Sequence, residues 1–184
     1  MAMASRQPRK PRPPLNAARL DELALSYVGR FATSRSKLLS YLNRKLRERG
    51  WDGDREPELD ALVERLARLG YVNDGAYALS KARSLTSRGY GERRVAQALA
   101  SAGICDEDRG EARDHAESQA VEAALRFARR RSIGPFAASR PDPREREKAL
   151  AAMVRAGHRF SLARAIIEMG PGEEADLESL AILR

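Results

Sequence analysis

Apolar residues recur along most of this chain at the spacing of an amphipathic helix. From Leu20 to Phe31 they lie at offsets of 0, 3, 4, 7, 8 and 11, so one helix face holds them all. No segment alternates apolar and polar residues convincingly. Alanine is abundant, and aromatic residues make up only 5% of the chain. Both observations favour helix over strand, and we predict an all-α protein.

Glycines followed by large apolar residues mark the ends of three predicted helices. Glycine adopts the left-handed conformation of a helix C-cap at low cost, and the apolar residue after it packs on the last turn. This pattern predicts a structural role for these apolar residues, including the single tryptophan. The pairs are Gly50 with Trp51, Gly70 with Tyr71, and Gly103 with Ile104.

Aligning the chain on its glycines indicates an internal repeat. Apolar residues lie eight and four positions before Gly50, Gly103 and Gly170, which are 53 and 67 residues apart. Each of these helices lies between two others, and one long helix over 106–131 closes the second repeat. Such arrays present an extended face, so we predict an elongated, curved array of three tandem three-helix repeats. The predicted boundaries are a basic, proline-rich disordered tail at 1–18, repeats at 19–73, 74–132 and 144–184, and a linker at 133–143, where proline and glycine cluster.

The sequence offers little material for catalysis or for a cofactor site. Neither His115 nor His158, the only histidines, has metal-ligand spacing with the single cysteine, Cys105. We interpret Cys105 as a small packed residue and His158 as a turn or surface residue. The pair Gly89 and Gly91 matches neither a P-loop nor a dinucleotide fingerprint, because no strand precedes it. We predict a protein that is not an enzyme and binds no cofactor or metal ion.

No segment has the composition of a membrane span or a targeting signal. The longest stretch without charged residues, 95–105, is far shorter than the roughly 20 apolar residues a spanning helix needs. The N-terminal tail lacks the apolar core of a signal peptide, and its prolines would break a targeting helix. A lone cysteine suits a reducing compartment. We therefore expect a cytoplasmic protein with no membrane partner.

Positive charge is concentrated in runs along the chain. Lys and Arg number 34 against 26 Asp and Glu, which gives a net charge of +8. Basic runs lie at 30–49, 83–94 and 126–131, whereas acidic residues gather in other predicted helices. Any single run is compatible with a solvated helix face. Aligned along an array, three runs would form a stripe that attracts phosphates or an acidic protein groove.

Two motifs at a fixed separation closely resemble the central region of RecX family regulatory proteins. They are Gly-Tyr-Val-Asn-Asp-Gly-Ala-Tyr-Ala at 70–78 and Ser-Arg-Gly-Tyr-Gly-Glu-Arg-Arg-Val at 87–95, followed by 99–104. The segment 36–51 is similar to that family's first unit. The resemblance implies a bacterial, non-enzymatic protein that binds the RecA filament on single-stranded DNA. Such a protein inhibits or modulates filament ATPase, strand exchange and growth, and thereby affects recombination, DNA repair and the SOS response.

The resemblance also implies where a partner binds. Gly89 and Gly91 would shape a turn, Tyr71 and Tyr77 would belong to the core, and Tyr90 is open between packing and partner contact. We expect a monomer. The alternative function is a basic helical module that binds single- or double-stranded DNA, or RNA, directly. The implied contact residues are Lys81, Arg83, Arg88, Tyr90, Arg93 and Arg94, with Arg35, Lys37, Arg44 and Lys45 as their counterpart in the first repeat.

Overall fold

The regular structure of this chain is helical over residues 13–183, the part that the computed structural model describes. These residues form ten α-helices and two 310 helices, which confirms the all-α prediction. Between residues 13 and 183 no helix is long and apolar enough to cross a membrane. The 310 helices are Asp106–Arg109 and Gly134–Phe136, and the α-helices are α1 (Ala17–Val28), α2 (Arg35–Arg49), α3 (Leu59–Arg68), α4 (Asp74–Ser87), α5 (Glu92–Ser101), α6 (Gly110–Ser118), α7 (Ala120–Arg130), α8 (Pro143–Arg155), α9 (Phe160–Glu168) and α10 (Leu177–Ala181).

The chain divides into two compact units, with the boundary between Val72 and Asn73. The first unit packs α1, α2 and α3 around one apolar core. Leu38 and Leu42 on α2 are fully buried in it, as the helical spacing predicts. The hydroxyl of Ser34 accepts a hydrogen bond from the backbone N–H of Lys37 at 3.3 Å and so caps the start of α2.

The segment before α1 is held against the turn that follows α2. Leu15 is fully buried, its N–H donates to the carbonyl of Gly50 at 3.0 Å, and its carbonyl accepts from the N–H of Asp52 at 2.7 Å. The Arg49 guanidinium donates to the carbonyl of Pro13 at 2.9 and 2.7 Å. The predicted disordered tail at 1–18 is therefore wrong for residues 13–18, because these backbone bonds and one buried leucine order them. Its residues 1–12 lie outside the described part.

The second unit contains two apolar cores, each formed by three helices. α4, α5 and α6 enclose the first of them, in which Val95 and Leu99 are buried. α7, α8 and α9 enclose the second, where Phe127, Met153 and Ile166 are buried. The short helix α10 covers this second core with Leu180.

The predicted continuous helix over 106–131 is wrong. The structure divides it into a 310 helix, α6 and α7, and it interrupts the two α-helices at Gln119. Ala112 and Ala116 of α6 pack in the first core of the second unit, whereas Val121 and Ala124 of α7 pack in the second core. The break at Gln119 separates the part that packs in one core from the part that packs in the other.

The repeat is more regular than the sequence alignment indicated. Left-handed glycines end the middle helix of each three-helix set, at Gly50 (φ 77°), Gly103 (φ 68°) and Gly157 (φ 97°). They are 53 and 54 residues apart, and Gly170 is not among the left-handed glycines. The three sets are α1 to α3, α4 to α6 and α7 to α9. The third set therefore begins at Ala120, not at residue 144.

Two single-residue interpretations are also wrong, and both concern residues after a helix end. Tyr71 is 56% exposed, because Val72 after it is the residue that packs into the core of the first unit. Cys105 is exposed as well, since Ile104 before it fills the core position behind Gly103. After each of these two glycines, only one of the next two side chains is buried in the core.

Candidate partner-binding surface

The four predicted contact residues of the first unit lie on two sides of α2. Lys37 and Arg44 are about two turns apart and share one side of the helix. Arg35 lies opposite Lys37, where its Nε is 3.4 Å from Oε1 of Glu64 on α3. Lys45 forms an ion pair with Glu48, and Nε of Arg44 is 3.7 Å from the same carboxylate. The structure therefore groups Lys37, Arg44 and Lys45 and separates Arg35 from them.

The predicted contact residues on α4 and at its C-cap, Arg88, are divided in the same way. Lys81 and Arg88 are about two turns apart on one side of the helix, and Arg83 projects from the other side. The Arg88 guanidinium lies 5.5 Å from the centroid of the Tyr90 ring, at the distance of a cation–π contact. Arg88 therefore joins Tyr90, whereas Arg83 stands apart.

Arg93 and Arg94 occupy the first turn of α5, and both side chains are exposed. Nη1 of Arg94 donates to Oε1 of Gln97 at 2.8 Å. The Arg93 guanidinium has neither an ion-pair nor a hydrogen-bond partner among residues 13–183. Glu92 beside them forms its ion pair with Arg159, at 3.1 Å, and not with Arg93 or Arg94.

The start of α5 is fixed by direct backbone packing on the turn between α8 and α9. The N–H of Gly91 donates to the carbonyl of Ala156 at 3.0 Å, and the N–H of Arg93 donates to the carbonyl of Gly157 at 3.2 Å. A Cβ atom on Gly91 would lie 2.4 Å from the Gly157 carbonyl carbon, closer than side chains ever approach. We call this contact of Gly91 with Gly157 the glycine crossing. This contact fixes the backbone of Arg93 and Arg94 against the turn between α8 and α9.

Gly89 does shape a turn, as the sequence indicated, and it also allows a close contact. Its φ of 77° is left-handed, and a Cβ atom there would lie 3.0 Å from the backbone nitrogen of Phe127 on α7. Tyr90, which follows it, is half-buried and packs against both cores of the second unit. Tyr90 therefore has a packing role, and its contact with a partner stays a prediction. Tyr77 packs against the first of these cores, as expected.

His158 is a structural residue that the sequence interpretation missed. It is 2% exposed, its Nε2 lies 3.2 Å from the carbonyl of Gly89, and its ring meets Phe127 edge-on at 5.5 Å. A carbonyl only accepts, so the neutral ring carries its proton on Nε2 and donates it. Burial lowers the pKa of His158 from 6.5 to about 4, and the Gly89 hydrogen bond offsets this only in part. The available signal was its position directly after a helix-end glycine, which Trp51 and Ile104 occupy in the other sets.

Two further arginines, which were not among the predicted contacts, lie beside Phe127, the residue whose ring meets His158 and whose backbone packs on Gly89. The guanidinium groups of Arg130 and Arg131 lie 6.0 and 5.6 Å from the ring centroid of Phe127. Their position at the end of a basic run was the signal for them. We use the name junction surface for six side chains on the segments that meet around Phe127 and His158: Arg88, Tyr90, Arg93, Arg94, Arg130 and Arg131.

The junction surface is equipped for binding anions. Its guanidinium groups present planar, charged donors that suit phosphate or carboxylate oxygens. Within residues 13–183, no three or more His, Cys, Asp or Glu side chains cluster in a way that could hold a metal ion. The arrangement therefore favours recognition of an acidic protein surface or of a nucleic acid backbone.

Comparisons with known proteins agree on one family. The family model described as RecX, second three-helix domain, matches residues 73–112, from the N-cap of α4 into α6. A regulatory protein RecX from Myxococcus xanthus (strain DK1622) is 35% identical over 175 residues, covering 90% of this chain and 92% of that protein. Another from Agrobacterium fabrum is 30% identical over 151 residues, covering 80% of each. The crystal structure of RecX from Lactobacillus salivarius has a similar fold, with a TM-score of 0.59 at 20% identity over 82% of this chain and 94% of that one.

Proposed function

Because this chain belongs to the RecX family of regulatory proteins, we propose that it regulates the RecA recombinase. In this proposal it binds the RecA filament on single-stranded DNA and inhibits the filament's ATPase, strand exchange and growth. It thereby acts on recombination, DNA repair and the SOS response. It does so as a cytoplasmic monomer, by binding alone, without catalysis, cofactor or metal.

The observation that carries this proposal is the junction surface. Four of its members, Arg88, Tyr90, Arg93 and Arg94, fall within the segment that matches the family model. The glycine crossing fixes the backbone at the start of α5, so a partner that binds these arginines orders their side chains but does not have to order a loop. The remaining predicted contacts, on α2 and at Lys81 and Arg83, stay predictions that binding experiments with the RecA filament would test.

The ATPase of RecA on single-stranded DNA tests the proposal. We expect the purified full chain to slow ATP hydrolysis by a preassembled filament at concentrations below or near that of RecA. Charged contacts dominate the proposed surface, so the inhibition should weaken as the salt concentration rises. Unchanged hydrolysis, filament length and strand exchange at an excess of the protein would refute the proposal.

The alternative is a module that binds DNA or RNA without RecA, which the net charge of +8 favours. Such a module would slow hydrolysis only by sequestering the DNA. Comparing retention of the chain on immobilised single-stranded DNA with and without bound RecA separates the two functions. Equal or weaker retention in the presence of RecA supports direct nucleic acid binding, whereas retention that RecA increases supports binding to the RecA filament.

A further inference from the structure

The end of α1 presents an aromatic ring to solvent. The helical spacing places Phe31 on the buried face, but α1 ends at Val28 with Gly29 as its C-cap. The chain then leaves the helix, and Phe31 is 57% exposed instead of buried. More than half of the Phe31 surface is therefore open to a partner.

Phe31 is the outermost of three neighbouring rings. Its centroid lies 5.3 Å from that of Tyr27, and Tyr27 stacks on Tyr41 at 4.1 Å with an interplanar angle of 17°. Tyr27 and Tyr41 are half-buried against the core of the first unit, so the base of this row is fixed. The row therefore offers one aromatic ring to solvent on a rigid support.

Positive charge borders the same rings. The Arg44 guanidinium and the Lys45 ammonium lie 5.6 and 5.8 Å from the centroid of the Tyr41 ring. Lys37 shares the side of α2 with Arg44, and Arg30 directly precedes Phe31 in the chain. One carboxylate, that of Glu48, pairs with Arg44 and Lys45. Arg44 and Lys45 thus carry two positive charges against one carboxylate, which leaves a net positive charge beside the Tyr41 ring.

We propose that this region binds single-stranded nucleic acid, with a base stacked on Phe31 and neighbouring phosphates on the cations. We call it the aromatic-basic surface, formed by Arg30, Phe31, Lys37, Tyr41, Arg44 and Lys45. Aromatic platforms beside cationic grooves bind single strands in this way without sequence preference. The bases of a duplex are stacked on one another and cannot reach Phe31. The assignment rests on the proposed function for the identity of the strand, the single-stranded DNA of the RecA filament.

The experiment compares two fluorescently labelled oligomers of equal length and charge, about 12 nucleotides long. One is oligothymidine, and the other is the same backbone with abasic residues throughout. We expect the full chain to bind oligothymidine about tenfold more tightly in fluorescence anisotropy, since stacking of one base contributes a factor of this order. The Phe31→Ala variant should bind both oligomers equally, at the affinity of the abasic one.

Matched variants separate stacking from charge. Leu69 is a similarly exposed apolar residue of the first unit, at 64%, so Leu69→Ala should keep the preference for oligothymidine. Phe31→Trp should keep it as well, because the indole also stacks. Arg44→Gln should weaken binding of both oligomers and lower the salt dependence of each.

Equal binding of the two oligomers by the wild type would overturn the inference, and so would an unchanged preference in Phe31→Ala. Displacement of oligothymidine by polyglutamate of equal charge would also overturn it, in favour of an acidic protein partner. Inhibition of RecA without a base preference refutes this inference and leaves the proposed function intact. A base preference without any effect on RecA refutes the proposed function and supports the aromatic-basic surface.

Discussion

Gly91→Ala should destabilise the second unit by about 3 kcal/mol, the upper part of the usual range for overpacking a close contact. The φ of −83° at Gly91 suits alanine, so the backbone conformation itself is not the obstacle. The added Cβ would lie 2.4 Å from the carbonyl carbon and oxygen of Gly157 and 2.6 Å from the nitrogen of His158. Because these are backbone atoms, the clash cannot be relieved by rotating a side chain. The glycine crossing must open, and its two backbone hydrogen bonds weaken with it.

Chemical denaturation followed by circular dichroism measures this loss. Gly110→Ala is the matched control, because Gly110 lies in α6 and a Cβ there meets no atom within 4 Å. Alanine is the better helix former, so this control should gain about 0.5 to 1 kcal/mol. A Gly91→Ala variant as stable as the wild type would show that the backbones do not cross this closely.

Stability should fall as the pH drops from 6.5 toward 4, because His158 is buried in its neutral form. Its pKa is about 4 in the folded protein and 6.5 as an unperturbed group. The unfolded chain therefore binds the proton first, and folding loses free energy as the pH decreases through this window. The full effect is about 3 kcal/mol, reached near pH 4, and it is absent above about pH 7.

The His158→Gln variant isolates this contribution, since glutamine keeps a donor for the Gly89 carbonyl and does not titrate. Carboxylates titrate in both proteins, so the quantity to compare is the slope of the unfolding free energy between pH 6.5 and 4. The slope should be smaller in the variant. Parallel pH profiles for the two proteins would contradict the buried, neutral state of His158.

Local signals in the sequence were sufficient for the helical class and for several helix ends. Leu42 and Leu99 are buried where the period of 3.6 places them, and Gly50 and Gly103 have the positive φ expected of glycines at helix ends. These features depend on residues within a turn or two of one another. Such short-range preferences are what a pattern of residue types reports.

The register of the third set of helices could not be obtained in this way. The residues eight and four positions before Gly157 are Ala149 and Met153, a weaker apolar pair than Leu162 and Ile166 before Gly170. The sequence alignment therefore selected Gly170, because the pair before it is more apolar. Met153, in the weaker pair, is nevertheless fully buried. Much of the apolar surface of that core comes from α7, which the sequence interpretation assigned to the second repeat.

For the candidate surface too, the sequence showed the local features but not the long-range contacts. The basic residues of the motif were visible in the sequence, but their grouping was not. Gly91 and Gly157 are far apart in the chain, and their contact decides where Arg93 and Arg94 lie. His158 was misjudged for the same reason, because it is buried by contacts with residues 89–91, which are distant in the sequence.

The most direct test of the account removes three of the five arginine charges of the junction surface and measures inhibition of RecA. Arg88, Arg93 and Arg94 are exposed, so their joint replacement by glutamine should leave the fold intact. The matched control replaces Arg140, Arg144 and Arg146 by glutamine, which removes the same charge from exposed residues just before and at the start of α8. The measurement is the protein concentration that halves ATP hydrolysis by a RecA filament on single-stranded DNA. We predict an increase of about tenfold or more for the junction variant, equivalent to at least about 1.4 kcal/mol of binding free energy, and little change for the control. Equal inhibition by the junction variant and the wild type would contradict the account.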